Sequence, residues 1–430
     1  MKRMLITGNA AAAWGARLAA TDYIPAFPIT PQTKIIESLA NWIDNGEMDA
    51  RLVTLESEHS MITAAGAAAA TGIRVYSATS SQGLLYGMEM LYTVAGWRAP
   101  FVLTNVSRGL SSPITLESDH NDIMAARDCG LLQIHCSTCQ EVLDNTIIAF
   151  RLAEDPRVRL PVIVNLDGFY LSFTREPVEL PDADKVKQFV GEYDAENMLF
   201  RVSRPTSQAV AVLGGGPYSY FRYETHLAAQ NGLHVYEEVA ADFNKHFGRH
   251  YDAVEAYKTD DAEIVFVMIG SFATKGKDAV DRLREAGHKI GLLQPRLLRP
   301  FPAGRFKDLL QHVKGVAVID QNISMGMGGV LHSELTSALY GQAQAPQIIA
   351  SYMGGLGGRD ISNEEFYEMA KEVKNALKNN QTLPPRLLYT ETELREVRKL
   401  QAVAHVERQE LLNTNEEADK EEHKHESSTS

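Results

Sequence analysis

Four short segments carry residues whose types and spacing could do chemistry. In Ala26-Phe27-Pro28-Ile29-Thr30-Pro31, two prolines restrict the backbone on either side of Thr30, which makes a stiff turn that displays one hydroxyl. Leu55-Glu56-Ser57-Glu58-His59-Ser60 ends an apolar run and sets Glu58 just inside the start of a small-residue helix. A carboxyl there is partly desolvated and close to backbone N–H donors, a position suited to chemistry. Thr79-Ser80-Ser81-Gln82-Gly83 and Ser107-Arg108-Gly109 follow. An Arg and a Thr at one strand edge could hold a small carboxylate, because a guanidinium offers paired donors. Taken singly, each residue has a plainer reading: Glu58 as a helix-start charge, Thr30 as a turn hydroxyl, Arg108 as a surface charge.

The elements that must position them alternate. The runs Arg51–Leu55, Ile73–Ala78, Phe101–Val106, Leu131–His135 and Val162–Leu166 read as strands. Small-residue and Met-rich helical segments such as Glu58–Ala70 and Leu84–Ala95 separate them. This alternation predicts an α/β fold with a parallel sheet and ligands at the carboxyl ends of its strands. From Pro177 to about Ala256 the pattern weakens, and an irregular extension is expected. A second alternating block has strands at Glu263–Ile269, Lys289–Leu293, Gly315–Ile319 and Gln347–Tyr352, closed by a helix over Asn363–Lys378. The expected domains are therefore 1–255, 256–390 and a tail, 391–430, that is helical over Glu391–Gln409 and disordered from Asn413, where it turns acidic and poor in apolar residues.

The formal charge of −13 argues against nucleic acid as a partner. No run approaches a membrane span, and Met1-Lys2-Arg3 is not followed by the apolar stretch of a leader, so a cytoplasmic chain with no membrane insertion is expected. Cys136 and Cys139 form a C-x-x-C, but with Cys129 there are only three cysteines, too few for a four-cysteine cluster. A structural role is favoured for the pair over a redox one. No metal ligands are expected in this chain, and His423 and His425 read as solvated. Among the glycines, Gly270–Asp278 fails the phosphate-loop spacing. Gly326-Met327-Gly328-Gly329 could cradle an anion or make a tight turn. Gly354–Asp360 suggests backbone approach to a partner or ligand, or a mobile loop.

Phe27–Pro31, Glu56–Glu58, Ser80–Gly83, Arg108 with Asp119–Asp122, and Gly355–Asp360 together resemble the alpha subunit of 2-oxoacid:ferredoxin oxidoreductases, with pyruvate:ferredoxin oxidoreductase (pyruvate synthase) the branch most alike. The resemblance covers roughly residues 1–390. It implies a pyrimidine-binding thiamine diphosphate domain followed by a domain like the C-terminal one of transketolases. It implies that Glu58 hydrogen-bonds the cofactor's aminopyrimidine ring, that Pro28, Ile29, Gln82 and Gly83 also line the cofactor, and that Thr30 and Arg108 hold the 2-oxoacid carboxylate. A beta subunit would bring the diphosphate and magnesium site. This chain accordingly lacks the Gly-Asp-Gly that opens the thiamine diphosphate motif. Gamma and ferredoxin-like delta subunits, iron–sulfur clusters outside this chain, coenzyme A as co-substrate, and ferredoxin or another electron acceptor complete the implied system.

Phe27 stands where a tyrosine is frequent in the family, and Ser107–Ser112 is a variant of the substrate loop. The resemblance therefore leaves open pyruvate, a branched acid (2-oxoisovalerate) or an aromatic one (phenylglyoxylate). A non-catalytic scaffold would need none of Thr30, Glu58 and Arg108. A transketolase-like carboligase is disfavoured by the Asp119–Asp122 and Gly355–Asp360 segments.

Overall fold

The computed structural model describes residues 2–193, 200, 203, 205–207 and 211–428, with side chains through Gln409. Met1–Arg386 form one compact unit and Leu387–Ser430 a second. In the first unit, strands Leu132–His135, Val162–Asp167, Val102–Ser107 and Tyr76–Thr79 lie side by side and parallel. Every residue of these strands is buried, as expected of a sheet covered on both faces. Strands Tyr23–Ala26 and Arg51–Thr54 pair in parallel beside this sheet, linked to it by a bridge from Tyr23 to Val75. A second sheet has the order Ile348–Met353, Gly315–Asp320, Ile264–Val267, Ile290–Pro295, Val254–Tyr257. Its first four strands are parallel and the last is an antiparallel edge.

Several elements differ from the sequence reading. The stretch expected to be irregular holds strand Arg175–Leu180, antiparallel to the N-terminal strand Lys2–Thr7, and a 33-residue helix, Gly215–Phe247. The cluster Gly214–Pro217, inside the stretch expected to be irregular, is that helix's start, where a proline removes no needed N–H. Ala228, Gly232, Val235, Val239, Phe243 and Phe247 form its buried face at three- and four-residue spacing. The helix expected over Leu84–Ala95 is two, Ser81–Tyr86 and Met88–Gly96. At the break, a Cβ on Gly87 would overlap Ile62 Cδ1. In the second unit the backbone is helical from Glu391 to Ser428, past Asn413, where disorder was expected. Residues 391–409 bury no face, so helix-forming side chains alone sustain it. His423 and His425 side chains lie outside the described residues. No described helix is long and apolar enough to cross a membrane.

The two sheets of the first unit are clamped together. Strand Leu297–Arg299, which follows a strand of the second sheet, adds antiparallel to Leu132–His135 at the edge of the first. His120 Nε2 meets Asp167 Oδ1 at 2.6 Å, both fully buried, and the other Asp167 oxygen accepts Ser271 N–H at 2.6 Å. The main chain of His120 donates to Gln321 O at 2.7 Å, and Gly358 N–H to Ser118 O at 2.7 Å. Thus the Gly354–Asp360 loop approaches another segment of its own chain: a Cβ on Gly358 would lie 2.7 Å from that of Glu117. Gly326–Gly329 likewise receives an internal anion. Asp320 accepts Leu331 N–H at 2.7 Å and His332 N–H at 3.2 Å, filling the helix N-terminus considered for a ligand.

Burial pushes the His120 pKa down, but the charge and hydrogen bond of Asp167 outweigh it and the net shift is up. Burial pushes Asp167 up, but His120 and Ser271 outweigh it and the net shift is down. The pair therefore stabilises most between the ordinary values of 3.8 for Asp and 6.5 for His. Its contribution fades as pH rises through the raised His120 pKa or falls through the lowered Asp167 pKa. Asp167→Asn is expected to destabilise by about 3–5 kcal/mol, since it strands a buried partner. Calorimetry should show the deficit largest near pH 6 and shrinking toward pH 9. A deficit independent of pH over that range would mean that His120 carries no charge in the folded protein.

Candidate active site

Glu58 is the first residue of helix Glu58–Ala69, whose N-cap, Ser57, accepts Ser60 N–H at 3.2 Å. Its side chain is only 4% exposed although the helix start faces a strand edge. The carboxyl lies over Gly83: a Cβ there would overlap Glu58 Oε1 and sit 2.7 Å from Thr79 Oγ1. Among the described residues no side chain donates a hydrogen bond to Glu58. Burial pushes its pKa up and only a backbone hydrogen bond pulls it back. The carboxyl is thus readied to hold a proton above the ordinary range.

Around it other polar atoms are buried without partners: Thr79 Oγ1, Ser80 Oγ, Gln82 Nε2 and Arg108 Nε. Buried polar groups are nearly always satisfied, so several orphans on neighbouring segments mark a surface that expects a ligand.

Arg108 is 6% exposed, not a surface charge. Its Nη1 donates to the main-chain oxygen of Thr30 at 2.6 Å and its Nη2 to Gln82 Oε1. Part of the fork expected for a substrate carboxylate is therefore occupied within the chain. Thr30 joins the site through its carbonyl; its side chain is exposed and makes no hydrogen bond among the described residues. Pro28 is exposed and Ile29 half-buried on the same turn. Asn9 fastens that turn by donating to Pro31 O at 2.9 Å. The structure thus brings together Glu58, Gln82, Gly83, Arg108 and the backbone of Thr30, with Pro28 and Ile29 along the rim.

Sequence reasoning missed the residue that organises this edge. Asp122 is fully buried and accepts from Ser81 N at 3.0 Å, Asn105 Nδ2 at 3.1 Å, Ser107 Oγ at 2.6 Å, Ile123 N at 2.7 Å and, more distantly, Arg108 N at 3.4 Å. Ser81 has φ +47, a left-handed conformation rare for serine. Its N–H on Asp122 and its Oγ on Gly109 O at 3.0 Å hold it there. Two polar residues in an otherwise apolar strand, Asn105 and Ser107, were the available signal.

The cysteines are remote from this chemistry. Cys129, Cys136 and Cys139 are buried and unbridged, and burial raises all three thiols, Cys129 to about 12, which makes them poor nucleophiles.

Comparison with known proteins gives the family. Residues 14–240 match the family described as pyruvate flavodoxin/ferredoxin oxidoreductase, thiamine diphosphate-binding. Residues 262–366 match pyruvate:ferredoxin oxidoreductase core domain II. Pyruvate synthase subunit PorA of Pyrococcus abyssi is 40% identical over 383 residues, 89% of this chain and 96% of the relative. The alpha subunit of NADH-dependent phenylglyoxylate dehydrogenase from Aromatoleum evansii is 39% identical, covering 89% of this chain and 93% of its own. A solved 2-oxoglutarate:ferredoxin oxidoreductase from Magnetococcus marinus shares the fold, with a TM-score of 0.67 at 20% identity, over 86% of this chain and 65% of that one. That structure has 2-oxoglutarate, coenzyme A and succinyl-CoA bound. A family domain spanning more than half of the sequence, and identity at this level along nearly all of each full-length relative, establish that the chain belongs to the pyruvate:ferredoxin oxidoreductase family, as an alpha-type subunit of a 2-oxoacid:ferredoxin oxidoreductase.

Proposed function

We propose that this subunit supplies the pyrimidine half of a thiamine diphosphate site and the carboxylate grip for pyruvate, in a complex that converts pyruvate and coenzyme A to acetyl-CoA and CO2 while reducing ferredoxin. The observation that carries the reading is the buried Glu58 carboxyl over Gly83, which no side chain among the described residues donates to, with unsatisfied Thr79, Ser80, Gln82 and Arg108 atoms on the neighbouring segments. These residues fit the cofactor's aminopyrimidine, which offers ring nitrogens and an amino group to a proton-holding acid and to hydroxyl and amide partners. When bound, thiamine diphosphate supplies the carbon nucleophile that the amino acids lack.

Glu58 would hold the proton shared with a ring nitrogen, its raised pKa matching that task. Gly83 leaves room for the carboxyl. Arg108, fixed by Gln82 and the Thr30 carbonyl, would present its remaining N–H groups to the substrate carboxylate. Pro28 and Ile29 would flank the cofactor and the Thr30 hydroxyl would face the substrate.

The division 1–255, 256–390 and 391–430 is proposed as the domain plan, consistent with the spans of the two family matches. A beta subunit would bring the diphosphate and magnesium site, and gamma and ferredoxin-like delta subunits the route for electrons through iron–sulfur clusters. The three free cysteines suit a reducing cytoplasm. A second reading, a branched or aromatic 2-oxoacid as substrate, rests on the near-equal identity to a phenylglyoxylate enzyme and the 36% identity to ketoisovalerate oxidoreductase subunit VorA of Pyrococcus abyssi.

The test is anaerobic, coenzyme-A-dependent viologen reduction by the purified complex with pyruvate, 2-oxoisovalerate and phenylglyoxylate. Pyruvate should give the highest kcat/KM; preference for either other acid would overturn the substrate assignment. Glu58→Gln should leave assembly intact and lower turnover by at least a hundredfold, since the amide cannot hold the exchanging proton. Normal turnover would exclude Glu58 from the cofactor. Gly83→Ala should displace the Glu58 carboxyl and raise the thiamine diphosphate concentration needed for half-activity at least tenfold, with Tm little changed. Arg108→Lys keeps the charge but loses the fork, so the KM for the 2-oxoacid should rise more than kcat falls; an unchanged KM would remove Arg108 from the carboxylate grip.

A further inference from the structure

A sizeable cavity lined by described residues lies far in sequence from the site above. It has a volume of about 770 Å³ and opens at the amino ends of the second sheet's strands, between helices Phe272–Glu285 and Asn363–Asn379. Strand residues Ile264 and Ile290, with Leu283, Ala370 and Leu377 from the helices, give it an apolar floor. Its charged lining is of one sign: Arg282, Lys289, Lys314, Lys371, Lys374 and Lys378 against one carboxylate, Glu263. The whole chain has the opposite balance, 42 basic against 55 acidic residues. Chance placement on such a surface would favour acids.

Only two of the six cations are paired with a carboxylate among the described residues. Glu263 pairs with Lys314 at 3.1 Å and Arg282 with Asp278 at 2.9 Å. Lys371, Lys374 and Lys378 make no ion pair among the described residues. These three lie on one face of helix Asn363–Asn379, where like charges repel, while Glu368 and Glu372 of that helix bond to Arg386 instead. A lysine in a last helical turn complements the dipole, which accounts for Lys378, and Glu263 accounts for Lys314, but neither accounts for Lys371 and Lys374 in the body of the helix or Lys289 beside a strand start.

We propose that this groove binds a nucleoside polyphosphate. Clustered lysines suit phosphate oxygens. The volume falls within the range of small-molecule sites, about 300–1,000 Å³, and exceeds what a bare phosphate would fill. The apolar floor, with Tyr367 at its side, provides for a base, and the lysines provide for the phosphates. No residue of the candidate active site lines this groove, so its ligand is assigned as an effector and not a reactant.

Isothermal titration of the intact complex with ATP tests this, with coenzyme A and 2-oxoacid absent so that the outcome does not depend on the proposed reaction. ATP should bind saturably once per chain, with affinity falling at high salt. Sodium pyrophosphate and adenosine should each bind at least tenfold more weakly. Lys371→Glu with Lys374→Glu should weaken ATP at least tenfold, and Lys371→Arg with Lys374→Arg should retain it. No ATP binding, equal binding by the glutamate variant, or pyrophosphate as tight as ATP would overturn the proposal. So would protection of Lys371 and Lys374 from acetic anhydride in the nucleotide-free complex, which would make the groove a subunit interface.

Discussion

A carboxylate buried without solvent must be surrounded by donors, and at Asp122 that requirement sets the active-site edge. Its oxygens draw in the start of helix Ser81–Tyr86, the end of strand Val102–Ser107, the backbone of Arg108 and its own following turn. Burial raises its pKa, and the bonds from Ser107 and Asn105 pull it back toward the charged form. The left-handed Ser81 is the cost of this arrangement, of order 1–3 kcal/mol, and it is tolerated because the surrounding bonds over-determine it. Because Ser81 is held, Gln82 and Gly83 follow in fixed positions, one against Arg108 and the other beneath Glu58. The groups at the site do not need to contact one another to be placed.

A second buried carboxylate ties this edge to the rest of the unit. Asp167 ends the strand beside Val102–Ser107 and receives both His120 and Ser271, so one side chain links the first sheet to the start of a helix in the second block. His120 lies two residues before Asp122. The segment that carries the hub is therefore the segment that carries the clamp, and displacement of the second sheet would be felt at Arg108. Asp119–Asp122, which carried part of the family resemblance, and Gly355–Asp360, whose glycines suggested approach to a partner or ligand, join the first block to the second through hydrogen bonds within the chain.

The parts of this fold legible in the sequence were those with short-range causes. The strands Val102–Ser107 and Val162–Asp167 are rich in β-branched and other apolar residues, and their ends fell within a residue or two of expectation. Glu58 was placed correctly because Ser57 is a strong N-cap before a run of small residues. What escaped had long-range causes. Helix Gly215–Phe247 has a readable periodicity, but its packing face is mixed, with Gly232 chosen to approach Leu132. The partners of Arg108 could not be read at all, since Thr30 and Gln82 are distant in the chain and meet it only through the sheet. Nor could spacing show that Gly329 is a glycine because Asp320 fills the space a side chain would take.

These constraints bear on where substrate preference resides. On the reading proposed above, Arg108, held by Gln82 and the Thr30 carbonyl, takes the carboxylate that every 2-oxoacid carries, so it cannot rank pyruvate above its relatives. Overall identity does not rank them either, at 40% for a pyruvate enzyme and 39% for a phenylglyoxylate enzyme. Discrimination needs apolar surface against the substrate's side chain, worth about 1–3 kcal/mol per methylene. On the loop after Arg108 this chain offers Ile114 at 74% and Leu116 at 46% exposure, neither packed into its own core. Side chains so exposed cannot form a selective wall by themselves. On the proposed reading the wall is complete only when another surface covers that loop, so the carboxylate grip would lie in this subunit and the choice of 2-oxoacid with the surface that covers Ile114 and Leu116.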